Sequence, residues 1–175
     1  MFTTNFNKIL LTLSLNFNTG SNTNKLNNKY IEVRPMTGLM SYPYNIDIST
    51  YSSSVTVMKQ NVNILNGFIM LGTGNTTPTV DDYKLSGTTI SLTNQVTEVI
   101  TQGWNSDGSM EILYKVTGTP SANNIIKEIG LVKNVYRNNS NRVDLLLYRE
   151  VLATPITITS GTPVELYFKL KFKLT

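Results

Sequence analysis

The sequence contains no cysteine and no histidine, and each absence excludes a class of site. Without cysteine the chain can form neither a disulfide bond nor a thiolate nucleophile. Without histidine it lacks the usual general base near neutral pH and the commonest metal ligand in proteins. We therefore expect that the protein is not an enzyme and that it holds no metal ion or other cofactor.

Charged residues are also scarce, at 15% of the chain against about a quarter in ordinary proteins. Asn and Thr take their place and together make up roughly a quarter of the sequence. Threonine favours strands and asparagine favours turns, so the composition predicts a polar but weakly charged surface, as closely packed subunits need. The net charge of +4 is only mildly basic, and we do not expect a nucleic-acid partner from it.

Long apolar runs are missing as well. No stretch approaches the ~18 residues that would span a bilayer, and no positively charged segment precedes an apolar core at Met1. We expect a soluble protein without a signal peptide or a membrane contact, made in a cytoplasm. A chain of 175 residues can bury a substantial core, and we predict a single domain over residues 1–175.

The most regular pattern lies in residues 164–174. Apolar and polar residues alternate strictly there, which is the period of a strand and would leave no apolar stripe on a helix. A second alternating stretch occupies residues 8–18, and we predict that these two strands are neighbours or face each other across the core. Further predicted strands cover residues 30–34, 55–65, 68–71, 90–92, 98–104 and 110–117.

Two more segments, residues 125–135 and 143–152, have a less clear pattern. The second fits a helical stripe at Val143, Leu146 and Val151, but the β-branched content and the short length of both segments favour strands. We predict both as strands. About ten strands with no room for helical crossovers indicate an all-β fold, an antiparallel β-sandwich of jelly-roll or Ig-like type with little or no helix.

Two long surface loops are predicted between the strands, at residues 18–29 and 36–54. The second loop is rich in serine and tyrosine, and its Tyr42, Tyr44 and Tyr51 are candidates for an interface with a partner. The alternative is that these tyrosines only cover an edge of the sandwich.

The polar face of the last predicted strand carries Tyr167, Lys169, Lys171 and Lys173. Three interpretations of the lysines stay open. They could contact DNA, pair with acidic residues of a neighbouring subunit, or keep a strand edge solvated and prevent wrong pairing. A tyrosine among lysines favours a contact surface, so all four residues form a candidate interface.

Residues 71–85 read LGTGNTTPTVDDYKL and form a predicted loop. Its two glycines superficially match a phosphate-binding loop, but the third glycine of that motif and the helix that follows it are missing. Its two adjacent aspartates could bind Ca²⁺, although neighbouring carboxylates in a strand point to opposite faces. We therefore interpret the segment as a structural loop. The residues that define it are Gly72, Gly74, Pro78, Asp81 and Asp82.

This loop resembles a stretch that recurs in small structural proteins of tailed bacteriophages, a Gly-Thr-Gly-x-Thr-x-Pro-Thr sequence followed by an acid and an apolar residue. The likeness continues at residues 125–133 (IIKEIGLVK) and at residues 145–172, where LLYREVL precedes the alternating strand. The three segments occur in the order found in that family, which is more specific than any one of them. We expect Glu128 in the middle segment to pair with Arg149 or Arg137.

The resemblance implies a virion structural protein. We expect an auxiliary capsid or head-fibre-type component that forms homo-oligomers and assembles with other virion proteins, in a virion put together in the host cytoplasm. The alternative is a tail component or a fibre-tip adhesin, a carbohydrate-binding module whose ligand would be a glycan. The tyrosine-rich loop at residues 36–54 and Trp104, the single tryptophan, motivate this alternative.

Overall fold

The computed structural model describes residues 1–4, 6, 30–33, 36, 44–47, 67–137 and 141–173; Thr4 and Phe6 are helical, and the nine longer regular elements in these residues are all strands. The all-β prediction is confirmed for this part of the chain. The predicted strands at residues 8–18 and 55–65 lie outside the described residues. The strands are β1 (Tyr30–Val33), β2 (Tyr44–Asp47), β3 (Phe68–Gly72), β4 (Thr89–Ile90), β5 (Leu92–Trp104), β6 (Ser109–Pro120), β7 (Asn124–Arg137), β8 (Asn141–Ile158) and β9 (Val164–Lys173).

The described strands form two larger sheets and one small sheet. One large sheet has the order β4-β3-β7-β8, the other has the order β5-β6-β9, and β1 pairs with β2. Every pairing is antiparallel, as the sequence predicts. The two larger sheets hold seven strands between them, where the sequence analysis expects a sandwich of about ten. The jelly-roll or Ig-like type stays a prediction.

Strict alternation along β6 and β9 places one apolar face of their sheet in the core. Ile112 lies opposite Leu170, and Tyr114 lies opposite Phe168, and all four side chains are buried. Side chains of the other large sheet complete the same cluster. They are Ile69, Leu71, Ile126, Ile129, Leu131 and Ile158. Because burying one such side chain contributes about 1.5–3 kcal/mol, this cluster is what holds the two sheets together.

A seam between β3 and β5 joins the two sheets at one side. Thr97 Oγ1 accepts a hydrogen bond from the Ile69 N–H at 3.2 Å, and Gln95 Nε2 donates one to the Ile69 carbonyl at 2.7 Å. The short strand β4 pairs only with Leu71 and Gly72, so it does not reach Ile69. Side chains of β5 therefore satisfy buried backbone groups that would otherwise need another strand.

Three strand limits differ from the sequence prediction for local reasons. β6 continues past the expected break at Gly118, because Gly118 still pairs with Val164 of β9. β8 continues through Pro155, which lies in an edge strand where the register with β7 shifts, so the proline displaces no ladder partner. Inside the predicted loop at residues 36–54, the segment Tyr44–Asp47 forms β2.

Candidate functional site: an ion pair under the 73–88 loop

The loop of residues 73–88 connects β3 to β4 and lies over the outer face of β7 and β8. Along β7, Ile129 and Leu131 belong to the core, so Glu128 and Gly130 point to the other face of the sheet. Gly130 leaves room there for the loop: a Cβ at this position would lie 2.9 Å from Leu85 Cδ2. The buried side chain of Leu85 therefore contacts the sheet beside the buried carboxylate of Glu128.

Glu128 holds both ends of this loop. Its Oε1 accepts hydrogen bonds from the N–H of Gly74 at 2.9 Å and of Gly87 at 2.7 Å. Its Oε2 accepts from the N–H and the hydroxyl of Ser86, at 3.1 Å and 3.2 Å. The carboxylate approaches the loop backbone so closely that a Cβ on Gly74 would lie 2.3 Å from Oε1. Glycine is therefore required at this position for steric reasons.

Arg149 completes the site from β8. Because Gly130 pairs with Arg149 and Glu128 pairs with Val151, the arginine and the glutamate are diagonal neighbours on one face of the sheet. Their side chains are 1% and 0% exposed, and Arg149 Nε donates to Glu128 Oε2 at 2.7 Å. The expected partner of Glu128 is therefore Arg149 rather than Arg137.

The rest of the guanidinium group binds the middle of the loop. Arg149 Nη1 donates to Asp82 Oδ2 at 2.7 Å. Its Nη2 donates to the Thr76 carbonyl at 2.9 Å and to the Ser86 hydroxyl at 2.6 Å. One buried arginine thus connects two carboxylates and two further loop residues, and we refer to this set as the ion-pair network (Thr76, Asp82, Ser86, Glu128 and Arg149).

The network sets the protonation of its members. Burial alone would raise the pKa of the Glu128 carboxyl, but the hydrogen bonds from Gly87 and Arg149 outweigh burial and hold this pKa below its usual range. The pKa of Asp82 is also lowered: burial opposes this shift, and hydrogen bonds from Thr79 and Arg149 cause it. Burial would lower the pKa of Arg149, but the two carboxylates raise it. All three groups are therefore charged at neutral pH.

The two aspartates considered above as a Ca²⁺ site, and interpreted as loop residues instead, have different partners. Asp82 turns inward to Arg149 and also accepts hydrogen bonds from the Thr79 N–H and hydroxyl, at 2.9 Å and 3.0 Å. Asp81 is exposed and accepts from the Thr4 hydroxyl at 3.5 Å. Among the residues that the structure describes, no three acidic side chains come close enough together to hold a metal ion.

The predicted structural loop is therefore only partly the site. The structure brings Gly72, Gly74 and Asp82 against the ion pair, while Pro78 is half-buried within the loop and Asp81 is on its surface. Sequence reasoning missed Thr76 and Ser86, whose residue types are common in any loop. Arg149 was one of the two arginines expected to pair with Glu128. It lies inside the apolar run LLLYREVL, where a charged side chain needs a partner.

The candidate interface on β9 lies on the outer face of the other large sheet. Tyr167 is 53% exposed, and the side chains of Lys169 and Lys171 are 62% and 52% exposed. Both lysines face acids of the same chain: Nζ of each lies 3.6 Å from Glu111, and Nζ of Lys171 lies 3.4 Å from Asp107. Much of the positive charge that the first two interpretations assign to DNA or to a neighbouring subunit is thus balanced within the sheet.

The remaining predicted interface residues are only partly within the described chain. Lys173 ends β9 opposite Ser109, and Tyr44 begins β2 opposite Val33. Tyr42 and Tyr51 lie outside the described residues. Of the tyrosines predicted at 36–54, the structure thus describes only the backbone of Tyr44, and an interface there stays a prediction.

No protein-family model, curated protein or solved structure matches this chain. Within the described ranges, no helix has the length and apolarity needed to cross a membrane. The function must therefore be inferred from the residues and their geometry.

Proposed function

We propose that the protein is a structural subunit of a bacteriophage virion, an auxiliary capsid or head-fibre-type component that holds neighbouring subunits by surface contact. One observation carries this proposal. The ion-pair network joins the three sequence segments on which the phage resemblance depends: Asp82 comes from the first, Glu128 from the second and Arg149 from the third. Three separate likenesses in the sequence thus correspond to one structural unit.

The ion-pair network can hold the 73–88 loop in one conformation. Both carboxylate oxygens of Glu128 and all three guanidinium nitrogens of Arg149 have partners within the chain. A buried ion pair gains little net stability over apolar residues of the same size, because both charges must leave water. What this pair supplies is one defined conformation of the 73–88 loop, and that supports a structural role.

The fixed loop presents a contact surface. Asn75, Thr76, Thr77 and Val80 are exposed on it, with Val80 at 48%. A loop that is already ordered loses less conformational entropy when a neighbour covers it, so its contacts give more affinity. Small polar side chains around one apolar residue are the composition we expect where subunits touch without a large apolar patch.

The proposed architecture is a two-layer β-sandwich in which the described sheets are the layers. The shared core cluster between the sheets supports this arrangement. The balanced charges on the β6–β9 face support close packing with other protein subunits rather than contact with packaged DNA, since DNA binding depends on positive charge that is free to neutralise phosphates.

Imaging of virus particles tests this function. An antiserum against the purified protein is applied to phage particles banded by density from the source culture, and the label is located by electron microscopy. We expect label on the heads of intact particles, and none when the antiserum is first absorbed with the purified protein. Protein that is abundant in the lysate but absent from banded particles would overturn the proposal. Label confined to tail tips, together with binding on a glycan array, would select the adhesin instead.

A further inference from the structure

We infer that β9 is a docking edge for a second copy of this chain, whose own β9 adds antiparallel to it about a two-fold axis at Phe168. The inference rests on the proposed function in that it names the partner and the surface of an assembling subunit. It goes beyond that function because it specifies one strand, one orientation and one register.

The other long edges of the two large sheets are distorted or in use. β5 shifts register with β6 at two places and has a positive φ of 55° at Asn94, and bulges of this kind protect an edge strand from pairing. Its Thr97 side chain is engaged with β3. On the edge of β8, the N–H of Thr3 donates to the Leu147 carbonyl at 2.9 Å, and Phe2 forms a bridge with Tyr148.

In the part of the chain that the structure describes, β9 has none of these features. Its ten residues pair with β6 without any register shift, and the strand contains neither proline nor glycine. β9 stands last in the order β5-β6-β9, so in the described part of the chain β6 is its one paired neighbour. The second edge of a regular strand presents a row of N–H and C=O groups, which is the template to which another strand adds. For this edge to be open, the predicted strand at residues 8–18 must face β9 across the core rather than pair with it.

The side-chain pattern selects the register. Polar residues of β9 must lie opposite polar residues of the second copy, so only registers that keep the two faces in phase are allowed. With Phe168 at the axis, Glu165 lies opposite Lys171 of the second copy at both ends, and Tyr167 lies opposite Lys169. Within its own chain Glu165 already binds Lys115 Nζ at 2.8 Å and the Tyr167 hydroxyl at 2.6 Å, so Lys171 of the second copy would extend a row of alternating charges. An axis at Lys169 would instead place two lysines directly opposite each other, which is unfavourable. An axis at Tyr167 would also pair Glu165 with Lys169, but it would place Lys171 opposite Pro163, outside the second copy's β9, and so would pair fewer residues of the two strands.

Single cysteines can test this register because the natural chain has none. Opposite residues of antiparallel strands have Cα atoms about 4.5–5.5 Å apart, within the range of a disulfide, whereas diagonal residues are about 7–8 Å apart. Tyr167→Cys and Lys169→Cys are purified separately, mixed and oxidised, and the products are weighed by mass spectrometry. We expect the mixed disulfide dimer to predominate over both homodimers. Tyr167→Cys mixed with Thr101→Cys, an exposed residue of β5, is the matched control and should give no such excess.

A charge test measures the same contact without a covalent bond. Glu165→Lys places like charges opposite each other at both ends of the pair, and we expect the dimer dissociation constant to rise about tenfold in sedimentation experiments. Lys171→Glu should weaken the dimer similarly. An equimolar mixture of the two variants restores opposite charges at both ends, so the mixed dimer should regain the original affinity. If Glu165 and Lys171 acted only within one chain, mixing the two variants would not restore the dimer affinity.

Three results would overturn the inference: a monomeric wild-type protein at its highest soluble concentration, predominance of a Tyr167→Cys homodimer, or no rescue in the charge mixture. The virion function fails separately, because it depends on where the antiserum binds on particles. A protein found in virions but monomeric in solution would remove the β9 contact and leave the virion function standing. A β9-paired dimer that is absent from particles would remove the virion function and leave the β9 contact standing.

Discussion

Replacing Arg149 with methionine removes the cation of the ion-pair network while keeping much of the side-chain volume. Glu128, which is 0% exposed, would then hold a negative charge without a counter-ion, and Asp82 would lose its 2.7 Å contact. Breaking a buried ion pair by removing one partner typically costs about 3–5 kcal/mol. Since small domains are stable by about 5–15 kcal/mol, R149M should lose a large fraction of the total.

Urea unfolding followed by circular dichroism measures this cost. A lower midpoint with an unchanged slope would report lost stability rather than a different unfolded state. Lys169→Met is the matched control, because it also removes one cation from one acidic contact. That contact is 3.6 Å long and exposed, so the midpoint should not move measurably. An R149M protein within about 1 kcal/mol of the natural chain would refute the structural role of the network, because that is the size of a surface pair.

R149M and the natural protein should also differ in how their stability depends on pH. The folded-state pKa of Glu128 lies below its ordinary value of 4.5, and that of Asp82 lies below 3.8. Their contribution to stability is therefore complete above the ordinary values and is lost as the pH falls through the folded values. In R149M a proton relieves the unpaired carboxylate, so acidification should narrow the gap between the two unfolding midpoints. A constant gap from neutral pH down to the folded values would contradict the assignment.

Two further substitutions test the packing around the site and the seam. Gly74→Ala should destabilise by about 1–3 kcal/mol, because its Cβ would overlap Glu128 Oε1, whereas Gly103→Ala should leave the thermal midpoint almost unchanged, since no atom lies within 4 Å of the added carbon. Thr97→Val removes the acceptor of the Ile69 N–H and should cost about 1–3 kcal/mol in urea unfolding, with faster hydrogen exchange at that amide. Unchanged exchange at Ile69 would mean that the side chain does not close the seam.

The strands whose faces differ in environment could be predicted from the sequence. In β9, Phe168 is 5% exposed and Tyr167 is 53% exposed, so burial follows the period of two that the residues show. β8 could not be predicted with the same clarity. Leu145, Leu146 and Leu147 are all buried although successive side chains of a strand point to opposite faces, and Leu146 packs against Leu85 of the 73–88 loop. A strand covered on both faces loses its alternation and resembles a helical segment.

The ion pair shows where sequence reasoning ends. Arg149 and Arg137 were both possible partners for Glu128: the apolar run around Arg149 indicates that its charge needs a partner, but it does not identify which one. The register of β7 and β8 identifies the partner. Arg149 lies opposite Gly130, two residues from Glu128, whereas Arg137 pairs with Asn141 at the far end of the hairpin. The contacts of Ser86 and Thr76 also depend on how the loop folds back, which no local pattern specifies.

The contact of Thr3 with β8 has a consequence for how the molecule is made. The Thr3 hydroxyl donates to the Leu146 carbonyl at 2.7 Å, and these residues are 143 positions apart. A ribosome adds about 5–20 residues per second, so Thr3 waits roughly seven to thirty seconds before its acceptor exists. During translation the contact of Thr3 cannot form until β8 has emerged. Slower elongation would therefore lengthen the interval in which this part of a nascent chain is open to capture by another chain.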